Sequence, residues 1–159
     1  PKEARGADER VRRWAADFEE LRNRSDDYLA EQGRRPQVAL LPLGPLAQHN
    51  VRTGFTANLM ASGGIEVINP GQVVPGEATF TETAQAAPIV VVCGTDKEYA
   101  ASGADAVKAA REAGATEVLL AGPEKLFADA EGDARPDGFL TMNIDAVAEL
   151  SRLLNSLGA

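Results

Sequence analysis

The sequence predicts an α/β domain built on a doubly wound, parallel sheet of about five strands, with an extra helix at its amino-terminal end. Short and almost wholly apolar runs, typical of strands covered on both faces, alternate with stretches in which apolar residues recur every three or four positions. Glycine or proline separates most of these runs. The 159 residues suit one domain with its own core.

The amino-terminal part of the chain predicts a polar lead over residues 1–9 and an amphipathic helix over residues 10–32. The apolar side of this helix comprises Val11, Trp14, Ala15, Phe18, Leu21, Tyr28 and Leu29. The sheet domain follows over residues 37–159. Helix and sheet are expected to form a single domain over residues 10–159, without an internal linker.

Strands and helices alternate through the sheet domain. Predicted strands cover residues 37–43, 65–68, 89–93 and 117–121, and a short last one lies around Phe139. Predicted helices cover residues 51–62, 78–87, 97–113 and 123–130, the last with Pro123 in its first turn. Asn143 is expected to cap a final helix. The apolar side of that helix comprises Ile144, Val147, Leu150, Leu154 and Leu157.

Composition excludes several classes of function. The formal net charge of -8 leaves no basic stripe to bind a phosphate backbone or an anionic membrane, so we expect no nucleic-acid and no membrane partner. No apolar run approaches the roughly 20 residues that cross a bilayer. The single cysteine excludes an internal disulfide framework and is compatible with the cytoplasm, where we expect the protein to be located.

The loop after the first strand contains His49, the only histidine. Ligands of open α/β sheets bind at the carboxyl ends of the strands, and an imidazole there could ligate a metal or exchange protons. A ligating histidine usually donates its other ring N–H to a carboxylate or carbonyl, and the neighbours of His49 offer no acid. The alternative is a surface or interface histidine bonded to backbone or water. Structural zinc would need four ligands, and Cys93 is the only other soft one.

The loop after the third strand offers a helix cap rather than a catalytic group. Thr95 or Asp96 can cap the helix that follows, and the charge of Asp96 would repel an anion there. Cys93 ends an apolar strand without an evident base, which is typical of a buried small hydrophobe. Neither phosphate-cradling glycine motif occurs, and the acidic groups of a response-regulator receiver are missing. We therefore expect no catalytic residue and no metal site.

Four stretches of the sequence are similar to one known family: RPQVALLPLGPLAQHNVRTGFTANLMASGGIEVINPG, FEELRNRSDDYLAEQG, IVVVCGTDKEY and AGATEVLLAGPE. Through them, from residue 10 to residue 157, the chain resembles the cobalamin-binding domain of methylmalonyl-CoA mutases, which has a flavodoxin-like fold. The resemblance is closest to the small, non-catalytic subunits of the heterodimeric bacterial enzymes. It implies that this chain is the carboxyl-terminal domain of such a subunit.

The resemblance also indicates where the family's cofactor site would lie and which of its residues differ in this chain. Cobalamin-binding members carry D-x-H-x-x-G, whose positions fall here on Ala47, His49 and Arg52. In the family, the His is the lower cobalt ligand, the Asp holds that His, and the Gly leaves room for the nucleotide tail. The family's S-x-L falls on residues 94–96, with Asp96 in place of Leu, and its G-G falls on Ala121 and Gly122.

The resemblance implies a degenerate site, in which His49 and Gly122 are remnants while Ala47, Arg52 and Asp96 disable binding. The domain would bind no cofactor and would serve assembly. The large catalytic subunit would be its partner, would hold adenosylcobalamin and would interconvert methylmalonyl-CoA and succinyl-CoA. Two alternatives stay open: a working cobalamin module with His49 as the lower cobalt ligand, and a small-molecule sensor that uses the vacated pocket.

Overall fold

Five parallel strands form the sheet. The computed structural model describes the backbone of residues 2–159 and the side chains of residues 8–159. The strands are β1 (Gln37–Pro42), β2 (Glu66–Ile68), β3 (Ile89–Cys93), β4 (Glu117–Ala121) and β5 (Gly138–Leu140). They lie in the order β2-β1-β3-β4-β5, so the strand order reverses between β1 and β3. The predicted fold class is confirmed.

Helices cover both faces of this sheet. They are α1 (Lys2–Gln32), α2 (Leu46–Ser62), α3 (Ala78–Gln85), α4 (Asp96–Glu98), α5 (Ala104–Ala113) and α6 (Ala146–Leu157). A π-helical turn over Tyr99–Gly103 joins α4 to α5. Alternate residues of the buried strands face opposite layers: Val90 and Val92 pack toward α3 and α5, whereas Val91 and Cys93 pack toward α1, α2 and α6. The two faces therefore carry two separate apolar cores.

Three helix starts differ from the sequence predictions. The backbone of α1 is helical from Lys2, because the lead is rich in strong helix formers such as Lys, Glu, Arg and Ala. Helix α2 begins at Leu46 rather than residue 51. Helix α6 is capped not by Asn143 but by Asp145, whose carboxylate accepts a hydrogen bond from the Ala148 N–H at 3.1 Å.

The predicted helix over residues 123–130 is instead a single 3₁₀ turn, Glu124–Phe127. Its last carbonyl, that of Phe127, accepts a hydrogen bond from Arg135 at 2.8 Å. Pro123 has an extended backbone and stands before the turn rather than in it. A short 3₁₀ segment of this kind is typical of a connection between two strands.

Among the side chains of α1 that the structure describes, the buried and half-buried ones all lie from Asp17 onward. Leu21 is buried, and the Ser25 hydroxyl donates to the Gly64 carbonyl at 2.6 Å. Arg24 donates to Ser151 of α6 at 3.0 Å. Four residues of the predicted apolar side remain exposed: Val11, Trp14, Ala15 and Leu29.

No helix in the described part of the chain is both long enough and apolar enough to cross a membrane.

Candidate functional site

The candidate site lies where the strand order reverses, at the carboxyl ends of β1 and β3. The loops that follow these strands begin at Gly44 and Gly94. The Leu43 N–H donates to the Cys93 carbonyl at 2.8 Å, which keeps the two strand ends together. The loop after β4, which contains Gly122, reaches the same edge. The residues singled out in the sequence thus come together here, as the fold class predicts.

His49 lies inside α2 and not in the loop before it. Pro45 precedes the helix with an extended backbone, and its carbonyl accepts hydrogen bonds from the N–H groups of Gln48 and His49 at 2.9 and 3.1 Å. The helix therefore begins one turn before His49. Four residues at helical spacing form its buried side: His49, Thr53, Thr56 and Met60. His49 shares this buried side with three core residues.

The surroundings of His49 differ from the sequence expectation. Its side chain is 1% exposed, so it is not a surface histidine. Nδ1 lies 2.8 Å from the carbonyl oxygen of Gly44. Because a carbonyl only accepts, Nδ1 carries the proton of this bond. The backbone partner that the alternative interpretation expected is present, and it orients the ring without an acid at Ala47.

Arg52 reaches from α2 across to the loop after β3. Its Nη1 donates to the Gly94 carbonyl at 2.8 Å, and its Nη2 forms an ion pair with the Asp96 carboxylate at 2.7 Å. The guanidinium carbon stands 5.2 Å from the centre of the Tyr99 ring, within cation–π range. Two polar partners and one aromatic face hold this cation in one place.

Gly122 lets Arg52 and Tyr99 close over the end of β4. A Cβ placed on Gly122 would stand 3.2 Å from a ring carbon of Tyr99 and 3.4 Å from the Arg52 guanidinium carbon. The Tyr99 ring would have to give by a few tenths of an ångström to admit it, whereas the Arg52 carbon would be at van der Waals contact. We call Arg52, Gly94, Asp96, Tyr99 and Gly122 the Arg52 network. It connects α2 to the ends of β3 and β4.

Tyr99 stands at the centre of this network and was not singled out in the sequence. Its hydroxyl accepts a hydrogen bond from the Gly94 N–H at 2.9 Å and lies 2.7 Å from the Ala121 carbonyl, to which it can donate. Burial raises the pKa of the phenol above its ordinary value. The sequence does not indicate this role of Tyr99, because the residue belongs to a π-helical turn, which apolar spacing does not predict.

Cys93 is a core residue, as expected. It is fully buried in the α2 and α6 layer, and burial raises the pKa of its thiol from 9.0 to about 12. Its Sγ lies 3.8 Å from the Thr56 hydroxyl, which is not a base. A thiol in this setting stays protonated and is not a nucleophile at neutral pH.

Two cavities remain around the Arg52 network. One, of about 490 Å³, lies between Ala47 on α2 and Thr95 after β3. The other, of about 450 Å³, is largely apolar and lies between Phe55 of α2 and Leu140 of β5. Val51 and Arg52 line both, so the two cavities adjoin at this part of α2. Among the residues whose side chains the structure describes, no group of three or more His, Cys, Asp or Glu could hold a metal ion.

Comparison with known proteins gives relatives but no match to a family model. The chain is 55% identical over 150 residues to proteins named probable methylmalonyl-CoA mutase small subunit from Mycobacterium bovis and Mycobacterium tuberculosis. It is 39% identical over 150 residues to the methylmalonyl-CoA mutase small subunit of Streptomyces virginiae. Each match covers 94% of this chain. The chain spans only about a quarter of the length of these relatives, 24% and 23% respectively.

Among solved structures, a CheY-like protein from Pseudomonas aeruginosa superimposes with a TM-score of 0.53. The match covers 79% of this chain and 94% of that one, at 23% identity. At this identity the likeness concerns the fold alone. The family assignment rests on the relatives in sequence, which confirm the resemblance found in the residues. This chain is homologous to one domain-sized part of the methylmalonyl-CoA mutase small subunits.

Proposed function

We propose that this chain is the carboxyl-terminal domain of the small subunit of a heterodimeric methylmalonyl-CoA mutase. In this proposal it binds no cobalamin and contributes to assembly with the large catalytic subunit, which holds adenosylcobalamin. The large subunit would interconvert methylmalonyl-CoA and succinyl-CoA, and this domain would contribute no catalytic residue. The observation that carries the proposal is the Arg52 network, which occupies the edge where the cofactor-binding relatives of this fold keep their site.

The position of His49 supports the loss of the cofactor. A lower cobalt ligand must present a ring nitrogen to a macrocycle much larger than the imidazole itself. With 1% of its side chain exposed and its place in the second turn of α2, His49 has no such access. The first turn of α2 would have to unwind before the ring could reach a bound cofactor. The Gly44 carbonyl replaces the missing acid, so Ala47 is not the decisive departure.

The Arg52 network also supports the loss of the cofactor. The side chain at position 52 stands where the family motif leaves space with a glycine, and it contacts two of the other motif loops. Its charge is balanced by Asp96, the residue that replaces an apolar one in the motif. Arg52 and Asp96, which both depart from the family motif, thus neutralise each other's charge. A nucleotide tail entering here would have to break this ion pair and displace the guanidinium.

Spectrophotometric titration of the chain with hydroxocobalamin and adenosylcobalamin tests the cofactor part of the proposal. We expect no spectrum of histidine-ligated cobalt from the native chain. A triple variant, Ala47→Asp with Arg52→Gly and Asp96→Leu, restores the motif residues and is expected to bind measurably more hydroxocobalamin. A histidine-ligated spectrum from the native chain that disappears in His49→Ala would establish the alternative, a working cobalamin module.

The assembly part needs subunits of full length. When the two subunits are produced together, deletion of this domain from the small subunit is expected to lower the amount of heterodimer recovered with the large subunit. The matched control is the full-length small subunit carrying Arg52→Ala, which disturbs the Arg52 network but keeps the domain. Equal recovery of heterodimer with and without the domain would contradict the assembly role.

A further inference from the structure

Residues 8–16 of α1 lie outside the packed part of the domain. Among the residues of this helix whose side chains the structure describes, Leu21 is the first buried one, and every residue from 8 to 16 is exposed. At 1.5 Å per residue, the helix extends roughly 20 Å from Leu21 back to residue 8. We call residues 8–16 the α1 overhang. Because most helical stability in proteins comes from the packing of an apolar side, these residues gain little of it within this domain.

The α1 overhang has an apolar side that is not used within this domain. Val11 and Trp14 follow the helical spacing that continues to Phe18, yet they are 61% and 56% exposed. Trp14 and Phe18 form one wall of a groove of about 400 Å³ against the start of α6. The opposite wall is formed by Ile144, Asp145, Ala146 and Val147.

The groove is continuous with the core of the domain. Phe18, Ile144 and Val147 are partly buried and pack on the apolar layer beneath α6. An apolar side chain entering between Trp14 and Val147 would therefore extend an existing core. A half-exposed tryptophan at the rim, above a groove with an apolar floor, is typical of the anchor of a protein interface.

We infer that the α1 overhang and its groove are the docking surface for the remainder of the same small subunit, the three quarters of its sequence that this chain lacks. The inference rests on the proposed function, in which this domain is the carboxyl-terminal one, so that the remainder precedes α1. The match to the mycobacterial relatives covers 94% of the chain and so extends past Trp14 even if every unmatched residue is amino-terminal. Proteins four times longer than this chain therefore include most of the α1 overhang.

Covalent connection favours this occupant over a separate chain. A segment tethered to α1 is present at an effective concentration in the millimolar range, so a contact of modest area suffices. Interfaces between domains of one chain are commonly of that kind. A second copy of this chain or the large subunit would have to bind the same small groove without the tether. These two occupants are outcomes of the test.

Hydrogen exchange on three samples tests the inference: this chain, the full-length small subunit, and the full-length small subunit with the large subunit. We expect exchange at residues 8–16 to slow at least about tenfold from the first sample to the second, with no further change in the third. No slowing in the full-length subunit overturns the inference. Slowing that needs the large subunit assigns the surface to that partner, and slowing that grows with protein concentration assigns it to a second copy.

A pair of variants in the full-length subunit makes the test specific. Trp14→Glu is expected to return residues 8–16 to the fast exchange of this chain, whereas Val74→Glu, at another exposed apolar residue, leaves their exchange unchanged. Unaltered exchange of the buried strand β3 shows that the Trp14→Glu domain is folded. Cobalamin titration is an independent readout: cobalamin binding would contradict the proposed function, and exchange at residues 8–16 would still decide the docking surface.

Discussion

The Arg52 network and the α1 overhang differ in whether their side chains find partners within the chain. The first sits where this fold keeps ligands and carries a cation, an anion and a phenol, yet each of these groups has a partner within the chain. For the α1 overhang the sequence predicts part of a helix and no functional site. Its apolar side chains are nevertheless the ones left in contact with water.

The difference bears on how the site of a ligand or a partner is recognised in a structure. Polar residues at a customary ligand position do not by themselves indicate a ligand, because they can be paired with one another. An apolar side chain exposed beside a groove is a better indication of a missing partner, since its burial gains free energy only when something covers it. By that criterion the polar side chains of the Arg52 network do not indicate a ligand, whereas the amino-terminal helix is open. The apolar cavity between Phe55 and Leu140 is open as well, because Val51 and Met142 in its lining are exposed.

The largest effect is expected from removing the hydroxyl at the centre of the Arg52 network. Tyr99→Phe leaves the Gly94 N–H without its acceptor and the Ala121 carbonyl without its nearest donor, both of them buried. We expect the free energy of unfolding to fall by about 3 kcal/mol, measured by urea denaturation. Tyr28→Phe, at the only other tyrosine, changes it by no more than about 0.5 kcal/mol. Equal effects of the two substitutions would contradict a central role for the Tyr99 hydroxyl.

A methyl group at position 122 tests how tightly the Arg52 network closes over β4. Gly122→Ala places a Cβ 3.2 Å from the Tyr99 ring, and we expect a loss of about 2 kcal/mol in the free energy of unfolding. Gly54→Ala is the matched control, because that glycine lies in α2 with open space around it. This control is expected to stabilise the chain by about 0.5 to 1 kcal/mol through helix propensity. The two substitutions should thus have opposite signs, and a stabilising Gly122→Ala would show that the closure is loose.

The sequence predicts the fold better than it predicts the site. Buried strands such as β3 and β4 lie as predicted, because a continuous apolar run leaves few other structures for the chain. The sequence predicts the start of α2 five residues too late, because Gly44 and Pro45 resemble the opening of a longer loop. That error put His49 in a loop, whereas the structure puts it in a helix.

The partners of the site residues could not be predicted from the sequence. Arg52 and Asp96 are far apart along the chain, and their ion pair follows from the parallel register of β1 and β3 and from the early start of α2. The carbonyl that orients His49 is a backbone atom, which residue types do not reveal. The exposure of Val11 and Trp14 was hidden for another reason: helical spacing shows which side of a helix is apolar but not whether anything covers it.

The smallest effect is expected at the α1 overhang, from the same substitution made in two helices. Val11→Ala removes methyl groups that are mostly in water and replaces a β-branched residue with the best helix former, so the stability of this chain should change by less than about 0.5 kcal/mol. Val107→Ala in α5 removes the same atoms from a fully buried position and should cost about 2 kcal/mol. Both values come from urea denaturation.

The comparison becomes sharper in the full-length small subunit. If the remainder of the subunit covers the α1 overhang, the methyl groups of Val11 become buried there, and Val11→Ala should destabilise that subunit by about 1 kcal/mol although it leaves this chain unaffected. Val107→Ala should cost the same in both, because its surroundings lie wholly within the domain. A Val11→Ala effect that stays near zero in the full-length subunit would mean that the apolar side of α1 remains in water there as well.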